Sequence, residues 1–354
     1  MRLAAFTKYG SMAASTRQRL LQYIPHLAAA GIEVDYHPLL PDEYVRTMAT
    51  GEHYPRRKTL AAYAERFRQL ASGTGADAIW IYAELFPYLP GRWEKLAFLS
   101  GKPVVYDCDD AFFHGYDAHR NAWVRRLLGR KLEPLLSGAA ACCCGNAYLE
   151  RYAARFCDRT MLLPTVVDTG VYRPAAARPD ERPLTIGWIG SPSTWPYMRP
   201  LLPLLRELVA SRGVRIRVVG AGVTARDDAF PGLDLVEWSE EREVDEVRAM
   251  DIGVMPLPDD IWARGKCGYK LIQYMACGLP VVASPVGVNS EIISPGGNGF
   301  LATGEEEWRA ALLKLIEDPD LRSAFGAVGR RRVEDHYSLH VHAPRLAGLL
   351  RSLA

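Results

Sequence analysis

The chain has 354 residues, 49% hydrophobic and 24% charged, a length and composition that predict two domains or one large one with ample apolar core. Its 43 basic and 41 acidic residues leave a formal net charge of +2, so no global field argues for a nucleic-acid partner. Seven cysteines, three of them consecutive at Cys142, Cys143 and Cys144 in an apolar run, suit reduced thiols in a cytoplasmic protein. No CxxC or His-rich spacing points to a metal. No apolar run of about 18 residues occurs, and the chain opens on Leu3-Ala4-Ala5-Phe6 without a leader pattern, so neither secretion nor membrane spanning is expected.

Strand and helix patterns alternate along the chain, and the alternation runs twice. The first half opens with a strand over 2–6 and a loop TKYGSMAAST containing Gly10. A helix follows from about Thr16, with Leu20, Leu21, Ile24, Leu27 and Ala28 on one face, and closes at Gly31. A strand from Ile32 to Tyr36 completes a βαβ unit, whose loop lies at the edge where open α/β sheets bind ligands. Residues 38–58 lack periodicity and predict a long surface insertion. A helix over about 59–72 leads to a strand Ala78–Tyr82 with Glu84 just beyond it; a Pro-rich turn and a helix near 91–100 precede a strand Pro103–Tyr106. That strand runs into Asp107-Cys108-Asp109-Asp110, where turn chemistry and a role on a substrate both account for the three carboxylates. Segment 119–136 is amphipathic and basic, with Arg120, Arg125, Arg126, Arg130 and Lys131 among Trp123, Val124, Leu127, Leu128 and Leu132. A solvated face and a seat on an anionic membrane surface are its two readings. A strand over 139–144, a helix over 147–156 and a strand Met161–Pro164 close this half.

Residues 173–183, RPAAARPDERP, predict a linker. The second half restarts with a strand Thr185–Ile189 and the loop Gly190-Ser191-Pro192-Ser193-Thr194, echoing the first unit. A helix bearing Leu201, Leu204, Leu205 and Leu208 follows, with Pro200 and Pro203 either in its first turn or kinking it. Next come a strand over 214–219 ending in Gly220-Ala221-Gly222, a strand over 233–237, a helix over 243–249 and a strand Ile252–Met255. KCGYKLIQYMACGLPVVASPVGVN, residues 266–289, is a Gly-bounded loop, a short helix stopped by Gly278 and Pro280, and a strand Val281–Ala283. A helix N-terminus with a lysine beside it at the mouth of an α/β crevice is a phosphate site. Leu271 and Met275 are expected to face the core, while Lys270, Gln273 and Cys277 share another stripe, so that ammonium and amide project together. A solvated lysine and a gap-filling glutamine is the plainer reading. Asn289 and Glu291 cap a further helix, and helices over 306–334 and 341–353 end the chain.

Asp168 within LLPTVVDTGVYRP, DIGVMPL at 251–257, YKLIQYMACGLPVVASPVGVNSEII through Ile293 and NGFL at 298–301 resemble family 4 glycosyltransferases, group 1 family, of the GT-B fold. The resemblance implies an α/β architecture of two Rossmann-like α/β/α domains facing across a cleft. It implies an acceptor-binding domain over 1–178, a nucleotide-sugar-binding domain over 179–335, and a C-terminal helix over 336–354 crossing back to the first. The implied reaction moves a sugar from a nucleoside-diphosphate sugar to an acceptor hydroxyl with retention of anomeric configuration, without a metal or other cofactor.

Carried over position by position, the family's Glu-x7-Glu pair falls on Gly265 and Gln273, so both glutamates are absent. Gln273 keeps an acceptor oxygen for the nucleotide ribose, and the loop Lys266-Cys267-Gly268-Tyr269 is left to touch the donor. The family's Arg and Lys clamp on the diphosphate is replaced by Gly190, Ser191, Ser193 and Thr194, which offer hydroxyl and N–H groups but no cation. Lys270 or Lys266, with Arg264, is expected to supply the charge, Lys270 as a catalytic residue. Gly10 and Ser11 match the family's Gly-rich loop, with Arg17 as a further phosphate ligand. Asp109 is expected to touch the reacting sugar or the acceptor hydroxyl, Asp110 is the second choice, and Glu84 is expected to bind acceptor.

Two rival readings stand beside the transferase: a nucleotide-sugar 2-epimerase on the same fold, and a catalytically silent nucleotide-sugar-binding module. The expected partners are a nucleotide sugar and an acceptor that is a lipid-linked glycan, a small metabolite or a protein, with no nucleic acid. The expected location is the cytoplasm, with peripheral contact on the inner membrane face as an alternative.

Overall fold

The computed structural model describes residues 1–73, 75–175 and 182–353. The chain divides into unit 1, comprising Met1–Thr165, Arg264–Cys267 and everything from Leu339 onward, and unit 2, comprising Val166–Ala263 and Gly268–Ser338. The expected boundary between 178 and 179 lies outside the described residues.

Unit 1 opens with β1 (Arg2–Tyr9), α1 (Ala14–Arg19), α2 (Ile24–Ala29) and β2 (Glu33–Leu40). Then come α3 (Asp42–Thr50), α4 (Arg56–Ala71), β3 (Ala78–Tyr82), a 3-10 helix over Gly91–Phe98 and β4 (Val104–Cys108). α5 (His114–Asp117), α6 (Ala122–Leu128), α7 (Glu133–Gly138), β5 (Ala141–Cys144), α8 (Ala147–Ala153) and β6 (Thr160–Leu162) follow. The strands form a six-stranded parallel sheet in the order β2-β1-β3-β4-β5-β6. Its inner strands AIWIY, VVYDC and ACCC are buried throughout, because a parallel strand covered on both faces has no polar side to show.

Where local chemistry broke a pattern, the elements differ from expectation. The single helix from Thr16 to Gly31 is two helices joined by a 3-10 turn at Leu21–Tyr23, since Pro25 has no N–H to continue the first ladder. Segment 38–58 is not an irregular insertion: it holds the end of β2, all of α3 and the start of α4. Asp42 and Glu43 occupy the first turn of α3 and Gly51 closes it at φ 77, the positions that the helix dipole and a left-handed cap favour. Pro38 is tolerated in β2 because β2 is an edge strand. The basic segment 119–136 holds two short helices, α6 and the start of α7, the second with Pro134 in its first turn.

Unit 2 repeats the plan with β7 (Thr185–Ile189), α9 (Leu202–Arg212), β8 (Arg215–Val219), β9 (Leu233–Val236), α10 (Glu243–Arg248) and β10 (Ile252–Met255). It continues with α11 (Tyr269–Ala276), β11 (Val281–Ala283), α12 (Asn289–Ile292), β12 (Gly299–Leu301), α13 (Glu305–Glu317) and α14 (Pro319–His336). The order is β12-β11-β10-β7-β8-β9, again all parallel. α15 (Leu339–Arg351) belongs to unit 1, where Arg351 donates to the Ala30 carbonyl and Arg159 to the Ser352 hydroxyl.

Candidate functional site

Strand order reverses between β1 and β3 in the first sheet and between β7 and β10 in the second. Crevices form outside the C-terminal ends of strands at such switch points.

In unit 2 the loop after β7 is closed on itself. The Ser191 N–H donates to the Thr194 hydroxyl at 3.2 Å, and the Ser191 and Ser193 hydroxyls bond at 2.9 Å. A Cβ on Gly220 would lie 2.4 Å from the Gly190 carbonyl oxygen, and one on Gly222 would lie 2.7 Å from Pro192. The Gly-Ala-Gly turn thus serves backbone packing against the Gly190 loop. α11 follows Gly268, which holds φ 68 where a Cβ would strike Ile292 at 2.4 Å. Its first turn carries no acidic residue, and the first N–H groups of any helix point outward unspent. Lys270 lies with its ammonium 5.4 Å from the Trp188 ring centroid, a cation–π placement that fixes the charge near the end of β7.

Gln273 does not project beside Lys270. It is 3% exposed, and its amide donates to the Tyr172 hydroxyl at 3.1 Å and to Glu243 Oε1 at 2.8 Å. Both amide hydrogens are spent there, so the carbonyl is its remaining polar atom. Glu243 also accepts from Tyr172 and, at 2.5 Å, from Trp238 Nε1. A carboxylate therefore sits against position 273 although the residue there is an amide. Only the contact between α10 and α11 reveals it; in the sequence Glu243 is one acid in an ordinary first turn. Tyr269 places its hydroxyl 3.5 Å from that of Tyr172, whose burial, with Tyr269 and Glu243 alongside, pushes it well above the usual phenol range.

In unit 1 the loop after β1 departs from expectation. The Ser11 hydroxyl and the Met12 N–H both donate to Asp42 at 2.8 Å, and a Cβ on Gly10 would lie 2.3 Å from the same carboxylate. Arg17 donates to the Ser11 and Met12 carbonyls at 3.1 and 2.9 Å. The Ser11 and Met12 donors are given to an anion the chain supplies and Arg17 to the loop's own carbonyls, so Gly10, Ser11 and Arg17 form a loop anchored to α3 rather than an open phosphate cradle.

The Asp107–Asp110 cluster separates into four environments. Asp107 is fully buried in an ion pair with fully buried Arg19, which also donates to the Leu163 carbonyl at 2.7 Å. Cys108 lies in the core. Asp109 accepts from the Tyr82 hydroxyl at 2.5 Å, and burial holds its carboxyl above the ordinary 3.8 against the pull of Arg19. Asp110 lies 3.6 Å from the Lys266 ammonium.

Residues 264–267 group with unit 1, apart from Gly268–Gln273. Asn146 Nδ2 donates to the Gly265 and Lys266 carbonyls at 2.9 and 3.1 Å, and the Cys267 thiol donates to the Asp109 carbonyl at 3.0 Å. The buried thiol fills space that a Cβ on Gly145 would need, 2.3 Å away. Cys267 is thus a packing group, and Lys266 is held by Asp110.

Glu84, expected to meet an acceptor, is 2% exposed. Lys8 and Lys131 lie 3.2 and 3.3 Å from its oxygens, and the Tyr116 hydroxyl donates to it at 2.6 Å. Burial works to raise its carboxyl, yet Lys8 and Lys131 prevail and hold it below the ordinary 4.5. A carboxyl depressed in the folded chain binds fewer protons there than when unfolded, so its stabilisation is present above the ordinary value and is lost as pH falls through the depressed one. Glu84→Gln is expected to lower neutral-pH stability by about 3 kcal/mol and to flatten the acid limb. Urea denaturation midpoints against pH check this, and parallel wild-type and variant curves would contradict it.

Among the described residues no group of three or more His, Cys, Asp or Glu could hold a metal ion. No described helix is long and apolar enough to cross a membrane.

Residues 184–318 match the family model for glycosyl transferases group 1. A D-inositol 3-phosphate glycosyltransferase of Thermobispora bispora is 30% identical over 175 residues, 49% of this chain and 36% of that protein. A GDP-mannose-dependent monoacylated alpha-(1-6)-phosphatidylinositol monomannoside mannosyltransferase of Corynebacterium glutamicum is 27% identical over 218 residues, 54% of this chain and 55% of that protein. The chain thus spans between about a third and about half the length of these relatives. In fold, Anabaena Alr3699/HepE, solved in complex with UDP-glucose, superposes with a TM-score of 0.74 over 100% of both chains at 14% identity. Over residues 184–318 the chain is thus similar to glycosyl transferases group 1, and over its whole length it has the GT-B fold, two six-stranded parallel α/β units.

Proposed function

We propose that the chain is a glycosyltransferase that moves a sugar from a nucleoside-diphosphate sugar to an acceptor hydroxyl with retention of configuration. The observation that carries this reading is the N-terminus of α11, with Gly268 at its cap, no acid in its first turn and Lys270 beside it, inside the segment that matches the family. Backbone N–H groups and an ammonium at such an end suit a diphosphate. The Gln273 carbonyl, oriented by Tyr172 and Glu243, takes a ribose hydroxyl.

In the reaction the bond from the anomeric carbon to the diphosphate oxygen breaks, and the acceptor oxygen bonds to that carbon from the same face. The acceptor proton passes to the departing diphosphate oxygen. Lys270 neutralises the charge that develops there, so turnover is expected to survive EDTA. Asp109, raised by burial, hydrogen-bonds the reacting sugar or the acceptor hydroxyl.

Calorimetric titration with UDP-glucose, GDP-mannose and dTDP-glucose tests the reading. One of them is expected to bind, and binding by none would overturn it. Donor incubated alone should undergo only slow hydrolysis. Conversion to its 2-epimer would favour the epimerase, and tight binding with no turnover on any acceptor would favour the silent module.

We also propose peripheral contact with an anionic membrane through α6. Trp123 and Leu127 are 67% and 69% exposed, with Arg125 and Arg126 in the last turn. Apolar anchors beside cations suit an anionic interface. The chain is expected to float with phosphatidylglycerol vesicles, and a Trp123→Ser, Leu127→Ser variant is expected to stay in the soluble fraction; equal flotation of both would refute the contact.

A further inference from the structure

Among the described residues the non-glycine positions with positive φ are Ala83, at 68°, and Tyr88, at 59°. Both flank the loop that leaves β3 at the unit 1 switch point. A bulky residue in this region is strained and persists only where its surroundings over-determine the backbone.

Here they do. The Ala83 N–H donates to the Asp107 carbonyl at 3.0 Å, and Glu94, fully buried and paired with Lys131, accepts from the Leu85 and Phe86 N–H groups at 2.8 and 3.1 Å. The Tyr63 hydroxyl donates to the Pro87 carbonyl at 2.8 Å. The Tyr88 N–H donates to the Tyr116 hydroxyl at 3.0 Å, and Glu84 holds that hydroxyl in turn. What this scaffold presents is a side chain left 62% exposed, braced edge-on by Tyr116 with ring centroids 5.6 Å apart. Glycine would take the same backbone shape without strain. A strained tyrosine that buries so little of itself contributes little to stability, so its rigid presentation calls for a ligand.

Tyr88 has aromatic company. Tyr9 and Tyr44 stack with centroids 5.8 Å apart, and Tyr54 meets Tyr44 edge-on at 5.1 Å. Lys8, paired with the same Glu84 that holds the Tyr116 hydroxyl under Tyr88, lies 5.4 Å from the Tyr9 centroid. Flat faces ringed by phenol hydroxyls and an ammonium suit a saturated ring that carries C–H on its faces and hydroxyls on its rim. We infer that Tyr88, with the Tyr9–Tyr44 pair, forms a stacking platform for a hexopyranose ring of the glycosyl acceptor. Calling this ring the acceptor rests on the transferase reading; the platform itself rests on unit 1 alone.

The test is saturation-transfer NMR of the full chain with methyl α-D-mannopyranoside, methyl α-D-glucopyranoside and maltotriose. Tyr88→Gly keeps the left-handed backbone and removes the ring, and its melting temperature reports that it folds. Wild type is expected to transfer saturation to pyranose ring protons, Tyr88→Gly to lose about 5-fold or more of that signal, and Tyr88→Phe to keep most of it. An equal signal from Tyr88→Gly, or none from wild type with any probe, overturns the platform. Calorimetry of the same samples with the three nucleotide sugars separates the two ideas. Donor binding without pyranose contact sinks only the platform, and pyranose contact without donor binding sinks only the transferase.

Discussion

Lys270→Ala is expected to lower kcat by about 100- to 1,000-fold, the loss typical when one preorganised group facing developing charge is removed. Breaking the glycosidic bond adds a further negative charge to a diphosphate that already carries two. In unit 2 the loop after β7 brings only hydroxyl and N–H groups, while Lys266 is grouped with Asp110 in unit 1. Lys270 is the cation in the first turn of α11, steadied over Trp188. Because the charge grows as the bond breaks, kcat should fall much more than donor affinity. Single-turnover kinetics with a melting curve as a folding control measures this, and near-normal turnover in a folded variant would remove Lys270 from the mechanism.

Arg19→Met is expected to cost about 3–5 kcal/mol, the loss seen when one partner of a buried ion pair is removed. That is a large share of the roughly 5–15 kcal/mol by which folded chains exceed unfolded ones. Both partners are fully buried, and Arg19 ties α1 to β4 and to the Leu163 carbonyl. Burial already holds Asp107 above the ordinary 3.8 despite Arg19. Without Arg19 it should rise further. A carboxyl raised in the folded state binds more protons there than when unfolded, so the variant should lose stability as pH climbs above the ordinary value. Urea denaturation at pH 5 and pH 8 should show the variant weaker at pH 8, and Arg19→Met/Asp107→Leu should recover much of the loss. An Arg19→Met chain as stable as wild type at both values would contradict this account.

The sheets were legible because their inner strands are short, continuous apolar runs, and α11 because Gly268, Gly278 and Pro280 punctuate it. α3 was hidden: at nine residues it is too short for its period to stand out, and Pro41 before Asp42 reads as loop chemistry unless Gly51 is recognised as its left-handed cap. The candidate site was only partly legible, because side chains far apart in the chain decide it. Glu84 reads as a surface carboxylate until Lys8 from β1 and Lys131 from between α6 and α7 close over it. Ser11 reads as a phosphate ligand until Asp42 accepts its hydroxyl. Gln273 reads as a lost glutamate until Glu243 meets its amide. None of these pairings leaves a periodic trace, whereas the βαβ repeat that positions them does.

The most direct measurement is a crystal structure of the chain with the nucleoside diphosphate of its preferred donor. The diphosphate oxygens should lie about 3 Å from the backbone N–H groups of Tyr269 and Lys270, with the ribose on the Gln273 carbonyl. A nucleotide seated away from the α11 N-terminus would contradict the account at its root.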